Sequence, residues 1–256
     1  GLATQGVRPV CAIYSTFLQR AYDNVIHDIA VQHLPVMLCM DRAGLVGEDG
    51  QTHMGLYDIA YMLAVPGMVV TAPKDGDELV GLLRTGLTYN DGPFCTRYPR
   101  DKVPVEPSPI ESVTPVPFGT WERLRNGRDV AILAVGTMVG PALDAASRLA
   151  VDGVEAAVVN CRFLKPYDKA MLDAIARETR LIVTVEEGTV VNGFGAFLGR
   201  ELADSHPQVR VVALGVPDEL VEQAPRSEQL ERYGLTGAGI AARVVAAHHE
   251  GSLESR

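Results

Sequence analysis

Short apolar runs alternate with amphipathic stretches along the first hundred residues of the chain. The runs are typical of buried strands, and the stretches between them have helical spacing. The predicted strands are 10–15, 35–41, 68–72 and 94–98, and the predicted helices are 17–31, 56–63 and 75–89, with a glycine-rich loop at 43–55. Because buried strands that alternate with helices form a parallel sheet covered on both faces, this pattern predicts an α/β domain.

The pattern is interrupted between residues 101 and 118, where prolines stand at 104, 107, 109, 115 and 117. Prolines at this density exclude a helix or a central strand, so the segment is predicted to be an extended linker. Beyond it the alternation resumes, with predicted strands 130–135, 154–159, 181–185 and 209–214, and predicted helices 141–150, 167–178, 194–203 and one before residue 248. We therefore expect two consecutive parallel-sheet α/β domains, at residues 1–118 and 119–256.

Composition supports a packed protein and excludes several function classes. Hydrophobic residues make up 47% of the 256 residues and charged residues 21%, as in ordinary globular proteins. No apolar run approaches the roughly 20 residues that a membrane span needs, and the first residues carry no signal segment, so we expect a cytoplasmic protein without a membrane partner. The net charge of -9 opposes nucleic-acid binding, which requires a basic face.

The four cysteines lie in or beside apolar, strand-like runs. They are Cys11, Cys39, Cys95 and Cys161, and no two of them have the spacing of a metal-binding pair. We expect buried free thiols in a reducing compartment rather than disulfides, metal ligands or a nucleophile.

Polar and aromatic side chains cluster just after the predicted strands of the first domain. They are Tyr14, Phe17, Arg20, Arg42, Asp49, His53 and Arg100. Ligands of open parallel sheets bind at the carboxyl ends of the strands, and arginine suits phosphate and carboxylate groups. The pattern therefore favours a small phosphorylated or carboxylated ligand, although each residue taken alone also fits a surface arginine, a loop histidine or a core aromatic.

Several blocks of sequence resemble those of 1-deoxy-D-xylulose-5-phosphate synthases. They are AIYSTFLQ with RAYD at 12–23, DRAGLVG at 41–47, DGQTH at 49–53, YNDGP at 89–93, RYPR at 97–100, RFLKPYD at 162–168 and TVEE at 184–187. The first blocks are specific enough to separate this family from transketolases and from the β-subunits of 2-oxo-acid dehydrogenases, which share the two-domain layout.

The resemblance implies a reaction, cofactors and partners. The family condenses pyruvate with glyceraldehyde 3-phosphate, with loss of CO₂, to give 1-deoxy-D-xylulose 5-phosphate for isoprenoid, thiamin and pyridoxal precursors. Thiamin diphosphate supplies the carbanion chemistry, and Mg²⁺ holds its diphosphate. A first domain binds the diphosphate and the metal, a second binds the pyrimidine ring, and a third is mainly structural and helps to form a homodimer. Residues 1 to about 118 are similar to the second domain and the remainder to the third.

The resemblance also implies roles for the clustered side chains. Phe17 is expected to stack on the aminopyrimidine ring, with Tyr14 and Arg20 lining the same pocket and the acceptor path. The other expected roles are phosphate binding by Arg42 and Arg100, bonds to the acceptor's hydroxyl and aldehyde groups from Asp49 and His53, and proton transfer by His53.

The resemblance leaves part of the active site outside the sequence. The glutamate that activates the pyrimidine ring is expected upstream of Gly1, and the metal ligands in the absent first domain, so we expect the chain alone to be inactive and to self-associate. Two alternatives stay open. One is a β-type subunit of a split thiamin-diphosphate enzyme, like that of a 2-oxo-acid dehydrogenase, and the other is a non-catalytic binding module.

Overall fold

The first α/β unit is a parallel sheet with helices between its strands. The computed structural model describes residues 1–254 of the chain. The elements of this unit are β1 (Val10–Tyr14), α1 (Ser15–Leu18), α2 (Tyr22–Asn24), β2 (Met37–Asp41), α3 (Asp58–Leu63), β3 (Val69–Thr71), α4 (Gly76–Thr88) and β4 (Phe94–Arg97). The four strands pair in parallel in the order β1-β2-β4-β3, which brings their carboxyl ends to one edge.

The second unit repeats this architecture. Its elements are β5 (Glu122–Arg125), β6 (Val130–Ala134), α5 (Val139–Val151), β7 (Ala156–Asn160), β8 (Phe163–Lys165), α6 (Lys169–Glu178), β9 (Leu181–Thr189), α7 (Phe194–Ser205), β10 (Arg210–Val216), α8 (Arg226–Arg232) and α9 (Gly237–Glu254). Its sheet has the order β10-β9-β6-β7-β5, parallel except for the edge strand β5. The predicted fold class, two consecutive parallel-sheet α/β domains, is confirmed, whereas β5, β8 and α8 were not predicted.

One strand connects the two units. β8 follows the second unit's β7 along the chain, yet it pairs antiparallel with β3 and completes the first sheet. The buried Trp121 donates its indole N–H to the carbonyl of Phe163 in β8 (2.7 Å), and the Phe163 ring packs edge-on against Phe94 in β4. The division at residue 118 stays a prediction from sequence, since the first sheet takes its fifth strand from beyond it.

The proline-rich segment between the units has no strand. Residues 101–118 contain a single short 3-10 turn, Ile110–Ser112, and lie mostly on the surface. Their attachment to the first unit includes a hydrogen bond from the Thr85 hydroxyl to the carbonyl of Val116 (2.6 Å).

Strand β1 differs from the sequence expectation. The run was predicted to be buried, but β1 is the sheet edge, and Val10, Cys11 and Ala12 are exposed. The other three cysteines are buried and all four are free, so the expectation of buried thiols is wrong for Cys11 alone. Edge strands and central strands can both be apolar runs, because both pair with at least one neighbouring strand. The run at 10–15 therefore did not show that β1 lies at the edge of the sheet.

The helix predicted at 17–31 is irregular. Its two short α-helical turns, α1 and α2, are separated by a 3-10 turn at Gln19–Ala21 and followed by a π-helix at Val25–Ala30. Such π-helical turns are rare and occur frequently near functional sites. Within residues 1–254, none of the helices is both long and apolar enough to cross a membrane.

Candidate functional site

An aromatic platform stands where β1 ends. The rings of Tyr14 and Phe17 are stacked, with centroids 4.8 Å apart and an interplanar angle of 8°. Phe17 is 45% exposed, which is high for a phenylalanine. His53 meets the Phe17 ring edge-on at a centroid distance of 5.4 Å. The chain thus presents a flat apolar face to solvent beside an imidazole, an arrangement that suits an aromatic ligand ring.

Arg42 lies directly after β2 and covers the other side of Tyr14. Its guanidinium carbon is 3.8 Å from the Tyr14 ring centroid, and its Nη1 donates to Asp41 (2.6 Å). Its Nε is 3.4 Å from Asp49 but makes no hydrogen bond of good geometry. The backbone of Arg42 has a φ of 53°, a conformation that costs a non-glycine residue about 1–3 kcal/mol and that concentrates at functional sites.

Asp49 joins the two predicted phosphate arginines. Arg100 Nη1 lies 3.0 and 3.3 Å from the two carboxylate oxygens of Asp49, which also faces Arg42. His53 Nδ1 is 3.0 Å from the Thr52 hydroxyl oxygen, which leaves Nε2 for another partner. An incoming anion would compete with Asp49 for two guanidinium groups that already converge.

The structure brings six of the seven predicted site residues together. They are Tyr14, Phe17, Arg42, Asp49, His53 and Arg100. Arg20 is the exception: it is exposed in the 3-10 turn Gln19–Ala21, and none of the residues in the described range 1–254 forms a hydrogen bond or ion pair with its side chain.

The loop that carries Asp49 and His53 is closed at its base by two glycines. Gly44 and Gly55 exchange backbone hydrogen bonds of 2.7 and 2.9 Å. A Cβ atom on Gly55 would lie 2.1 Å from the carbonyl oxygen of Arg42, so a larger residue cannot fit without moving the backbone. The loop 44–55 therefore has a fixed base next to the site.

The second unit contributes contacts that sequence reasoning missed. Glu187 in β9 accepts the N–H of Leu45 (2.8 Å), and it also accepts from Thr137 and Arg226. Gln229 in α8 accepts the N–H of Gly47 (3.0 Å). Of the four second-unit residues in these contacts, only Glu187 lay in a motif noted from the sequence. A glutamate inside an apolar strand is the one signal that could have marked it, because charged residues are rarely buried without a partner.

Buried charged side chains lie next to the elements that hold the loop. Arg97 donates to Asp58 (2.8 Å) and to the carbonyl of Glu187 (3.0 Å). Glu186 is fully buried and accepts the N–H groups of Phe194 and Gly195, both 2.9 Å away, at the start of α7. Burial raises the pKa of Glu186 to about 7, although these two hydrogen bonds favour the charged form.

Other features of the described residues lie apart from this cluster. Within residues 1–254 no group of three or more His, Cys, Asp or Glu side chains is placed to hold a metal ion. A cleft of about 470 Å³ lies between the two units and is lined by Lys74, Asp101, Thr137 and Arg226 among others. It includes none of the seven predicted site residues.

Comparison with known proteins gives matches over both units. Residues 1–106 match the transketolase pyrimidine binding domain, and residues 119–240 match the transketolase C-terminal domain. The chain is 50% identical over 244 residues to the 1-deoxy-D-xylulose-5-phosphate synthase of Synechococcus sp. (strain JA-3-3Ab), and 49% identical over 249 residues to that of Thermomicrobium roseum. These matches cover 95% and 96% of this chain but 38% and 39% of the relatives, so the chain spans well under half of their length.

Solved structures agree on the fold. A protein described as a split gene transketolase, inactive beta4 tetramer, superposes with a TM-score of 0.87 at 32% identity, covering 97% of this chain and 78% of that one. A transketolase mutant from Pichia stipitis gives a TM-score of 0.74 at 19% identity, covering 94% of this chain and 34% of that one, and bears on the fold alone. The chain belongs to the transketolase family, and within it the resemblance to 1-deoxy-D-xylulose-5-phosphate synthases is confirmed over 95% of its length.

Proposed function

We propose that this chain is the pyrimidine-binding and C-terminal part of a 1-deoxy-D-xylulose-5-phosphate synthase. With a diphosphate-binding domain it would condense pyruvate with glyceraldehyde 3-phosphate, releasing CO₂. One observation carries the proposal: Arg42 and Arg100 converge on Asp49 beside the Tyr14, Phe17 and His53 rings, in a chain half identical to such synthases. The three buried free thiols suit a reducing compartment such as the cytoplasm.

The aromatic platform fits the ring of thiamin diphosphate. Phe17 would stack on the pyrimidine ring with one face of its own ring, while Tyr14 stacks on the opposite face. Ser15 Oγ and Thr16 Oγ1 are buried beside the platform and have no hydrogen-bond partner among residues 1–254, so polar groups of a ligand could satisfy them. When bound, the cofactor supplies the carbanion chemistry of the reaction. Its diphosphate and Mg²⁺ would be held outside residues 1–254.

The charged half of the site fits a phosphorylated aldehyde. Arg42 and Arg100 would bind the phosphate and release Asp49. The Asp49 carboxylate would then accept a hydrogen bond from a hydroxyl group of the substrate. His53 would move a proton at Nε2 while Thr52 holds Nδ1. Arg20, exposed near the platform, would line the path by which the acceptor enters.

We propose that the chain alone turns over no substrate and works as part of a dimer. The activating glutamate would come from sequence just upstream of Gly1, and the metal ligands from the diphosphate-binding domain. A second candidate, a β-type subunit that pairs with a separate chain, is favoured by one observation: this chain covers 78% of a split-gene transketolase chain with a TM-score of 0.87. That protein is itself described as inactive in its beta4 form.

The test supplies the missing domain in two ways. The N-terminal part of the Thermomicrobium roseum relative, which this chain does not span, is fused to the chain in one sample and added as a separate polypeptide in the other. Product formation from ¹³C-labelled pyruvate and glyceraldehyde 3-phosphate is followed by NMR with thiamin diphosphate and Mg²⁺ present. Activity of the fusion supports the synthase, activity of the mixture supports a split enzyme, and binding of both substrates without product supports a binding module.

The arginine pair gives a sharper prediction. In the active fusion, Arg42→Met and Arg100→Met should each raise the KM for glyceraldehyde 3-phosphate at least tenfold, the effect of losing a charged hydrogen bond, and leave the KM for pyruvate within about twofold. Arg125→Met, which changes an arginine of the β5 edge, is the matched control. Equal losses for both substrates would contradict phosphate binding by this pair.

A further inference from the structure

The backbone of the loop 44–55 makes three hydrogen bonds to side chains of the second unit. Leu45 donates its N–H to Glu187, Gly47 donates its N–H to Gln229, and the carbonyl of Glu48 accepts from Gln223 (2.7 Å). All three acceptors or donors lie beyond residue 119. The segment that presents Asp49 and His53 therefore takes its shape from a part of the fold expected to be mainly structural.

Glu187 is the centre of this attachment. Its side chain is 2% exposed, and its carboxylate accepts hydrogen bonds from Leu45 N–H (2.8 Å), Thr137 Oγ1 (3.0 Å) and two nitrogens of Arg226 (3.0 and 2.6 Å). A buried carboxylate with this many donors is held in one position, because each donor satisfies a different lone pair. The position of Leu45 is fixed with it.

The base of the loop is shaped to receive this carboxylate. Gly44 has a φ of 88°, and a Cβ atom on it would lie 2.8 Å from the Cδ and Oε1 atoms of Glu187. Only glycine allows the loop to approach so closely. Glu187 thus packs directly against the glycine pair that closes the loop.

Arg226 extends the attachment to the second part of the site. Its Nη1 donates to Asp101 (2.6 Å), the residue next to Arg100, while its Nε and Nη2 bind Glu187. One guanidinium group therefore links the base of the Asp49 loop to the segment that carries Arg100. The segments that carry Asp49 and Arg100 are thus linked to the same arginine, through Glu187 and through Asp101.

A simple bond between the two units is a competing interpretation. The units have such a bond elsewhere: Glu78 in α4 is nearly buried and accepts from Asn160 Nδ2 (2.8 and 3.0 Å), with Arg162 3.5 Å away. That contact does not touch the loop 44–55. Glu187 and its partners do contact the loop. Substituting Glu187 should therefore have a different effect on the loop from substituting Glu78.

We propose that Glu187 and Arg226 are positioning residues that set the geometry of the Asp49–His53 loop from the second unit. They do not touch the reacting groups; they hold the loop so that Asp49, His53 and Arg100 meet at one place. The kinetic part of this proposal rests on the proposed function, and the structural part does not.

Hydrogen exchange on the chain itself tests the structural part. Glu187→Gln and Arg226→Met should speed amide exchange at Leu45 about tenfold, the effect of weakening its charge-assisted hydrogen bond to Glu187. Exchange at Gly47 should also become faster because the base of the loop is no longer fixed, and exchange in β2 and β9 should stay unchanged. Arg226→Lys, which keeps the charge, should recover part of the protection. Glu78→Gln is the matched control and should not alter these amides. Unchanged loop exchange in both variants, or an equal change in the control, would overturn the proposal.

Kinetics of the fusion described above test the consequence for the site. Glu187→Gln and Arg226→Met should raise the KM for glyceraldehyde 3-phosphate about tenfold while the KM for pyruvate changes less than twofold. Losses shared equally between the substrates, or matched by Glu78→Gln, would reject a positioning role. If the unmodified fusion forms no product, the proposed function fails, and the exchange measurement still decides whether Glu187 holds the loop.

Discussion

Glu186 is a carboxyl group buried in the second sheet, and no lysine or arginine among residues 1–254 is in hydrogen-bond contact with it. Two backbone N–H groups at the start of α7 satisfy its oxygens, and its side chain has no exposed surface. Removal from water raises its pKa to about 7, against an ordinary value of 4.5, because burial penalises the charged form. The residue therefore changes charge within the range in which many enzymes work.

This shift makes stability depend on pH. Between about pH 4.5 and pH 7 the folded protein keeps a proton on Glu186 that the unfolded chain has lost, so the free energy of unfolding should fall as pH rises through this window. The shift corresponds to about 3 kcal/mol. Urea unfolding at pH 5, 6, 7 and 8 should show this extra slope in the unmodified chain and not in Glu186→Gln. Parallel profiles for the two proteins would refute it.

At the scale of elements, a single ion pair joins helix α3 to strand β4. Arg97 and Asp58 have almost no exposed side-chain surface, and their charged atoms are 2.8 Å apart. Arg97 also donates to the carbonyl of Glu187 in β9, so it connects three elements. Losing one partner would leave the other charge buried and unpaired.

We therefore expect Arg97→Met to lower the free energy of unfolding by about 3–5 kcal/mol. The double variant Arg97→Met/Asp58→Leu should recover much of that loss, because neither charge then remains in the interior. Urea denaturation of both variants measures the difference, with Arg123→Met, which removes a surface partner of Glu178, as the control. A double variant no more stable than the single one would show that packing, rather than charge, is responsible.

The sequence predicted eight of the ten strands, and it predicted for a clear physical reason that the candidate site residues would lie close together. Arg42 and Arg100 follow parallel strands, and the carboxyl ends of such strands meet at one edge, so their convergence followed from order along the chain. The contacts of Glu187 and Arg226 with the loop could not be predicted in this way. The two residues are nearly 40 positions apart in the other unit, and no rule of sequence spacing relates them to the loop. Strand β5 was missed because its residues ERLR have no apolar run, and β8 because three residues carry no period.

At the scale of the whole molecule, the two units are not independent. The first sheet takes β8 from beyond the linker, and Phe163 in β8, whose carbonyl accepts from Trp121, packs against Phe94 of the first unit. The ionic groups around Glu187 and Glu78 add further contacts between the units. The interface thus combines a shared sheet with buried charges, which favours a single cooperative transition.

Cutting the chain after Phe118 tests this coupling. The fragment of residues 1–118 should lack a sharp thermal transition, because β3 loses its outer neighbour and the apolar face covered by Phe163 becomes exposed. Circular dichroism on heating and gel filtration would measure this, with the intact chain as the reference. A fragment that melts cooperatively as a monomer would show that the predicted boundary also separates two folding units.

The shared strand also constrains how the protein is made. About 70 residues separate the end of β4 from the end of β8. At roughly 5–20 residues per second, a ribosome needs about 3–14 s to add them. During that time the nascent first sheet has an open edge at β3, where strands of other chains can pair. Pairing at this edge on polysomes would then lower the yield of folded protein, and a chaperone that covers the edge would raise it.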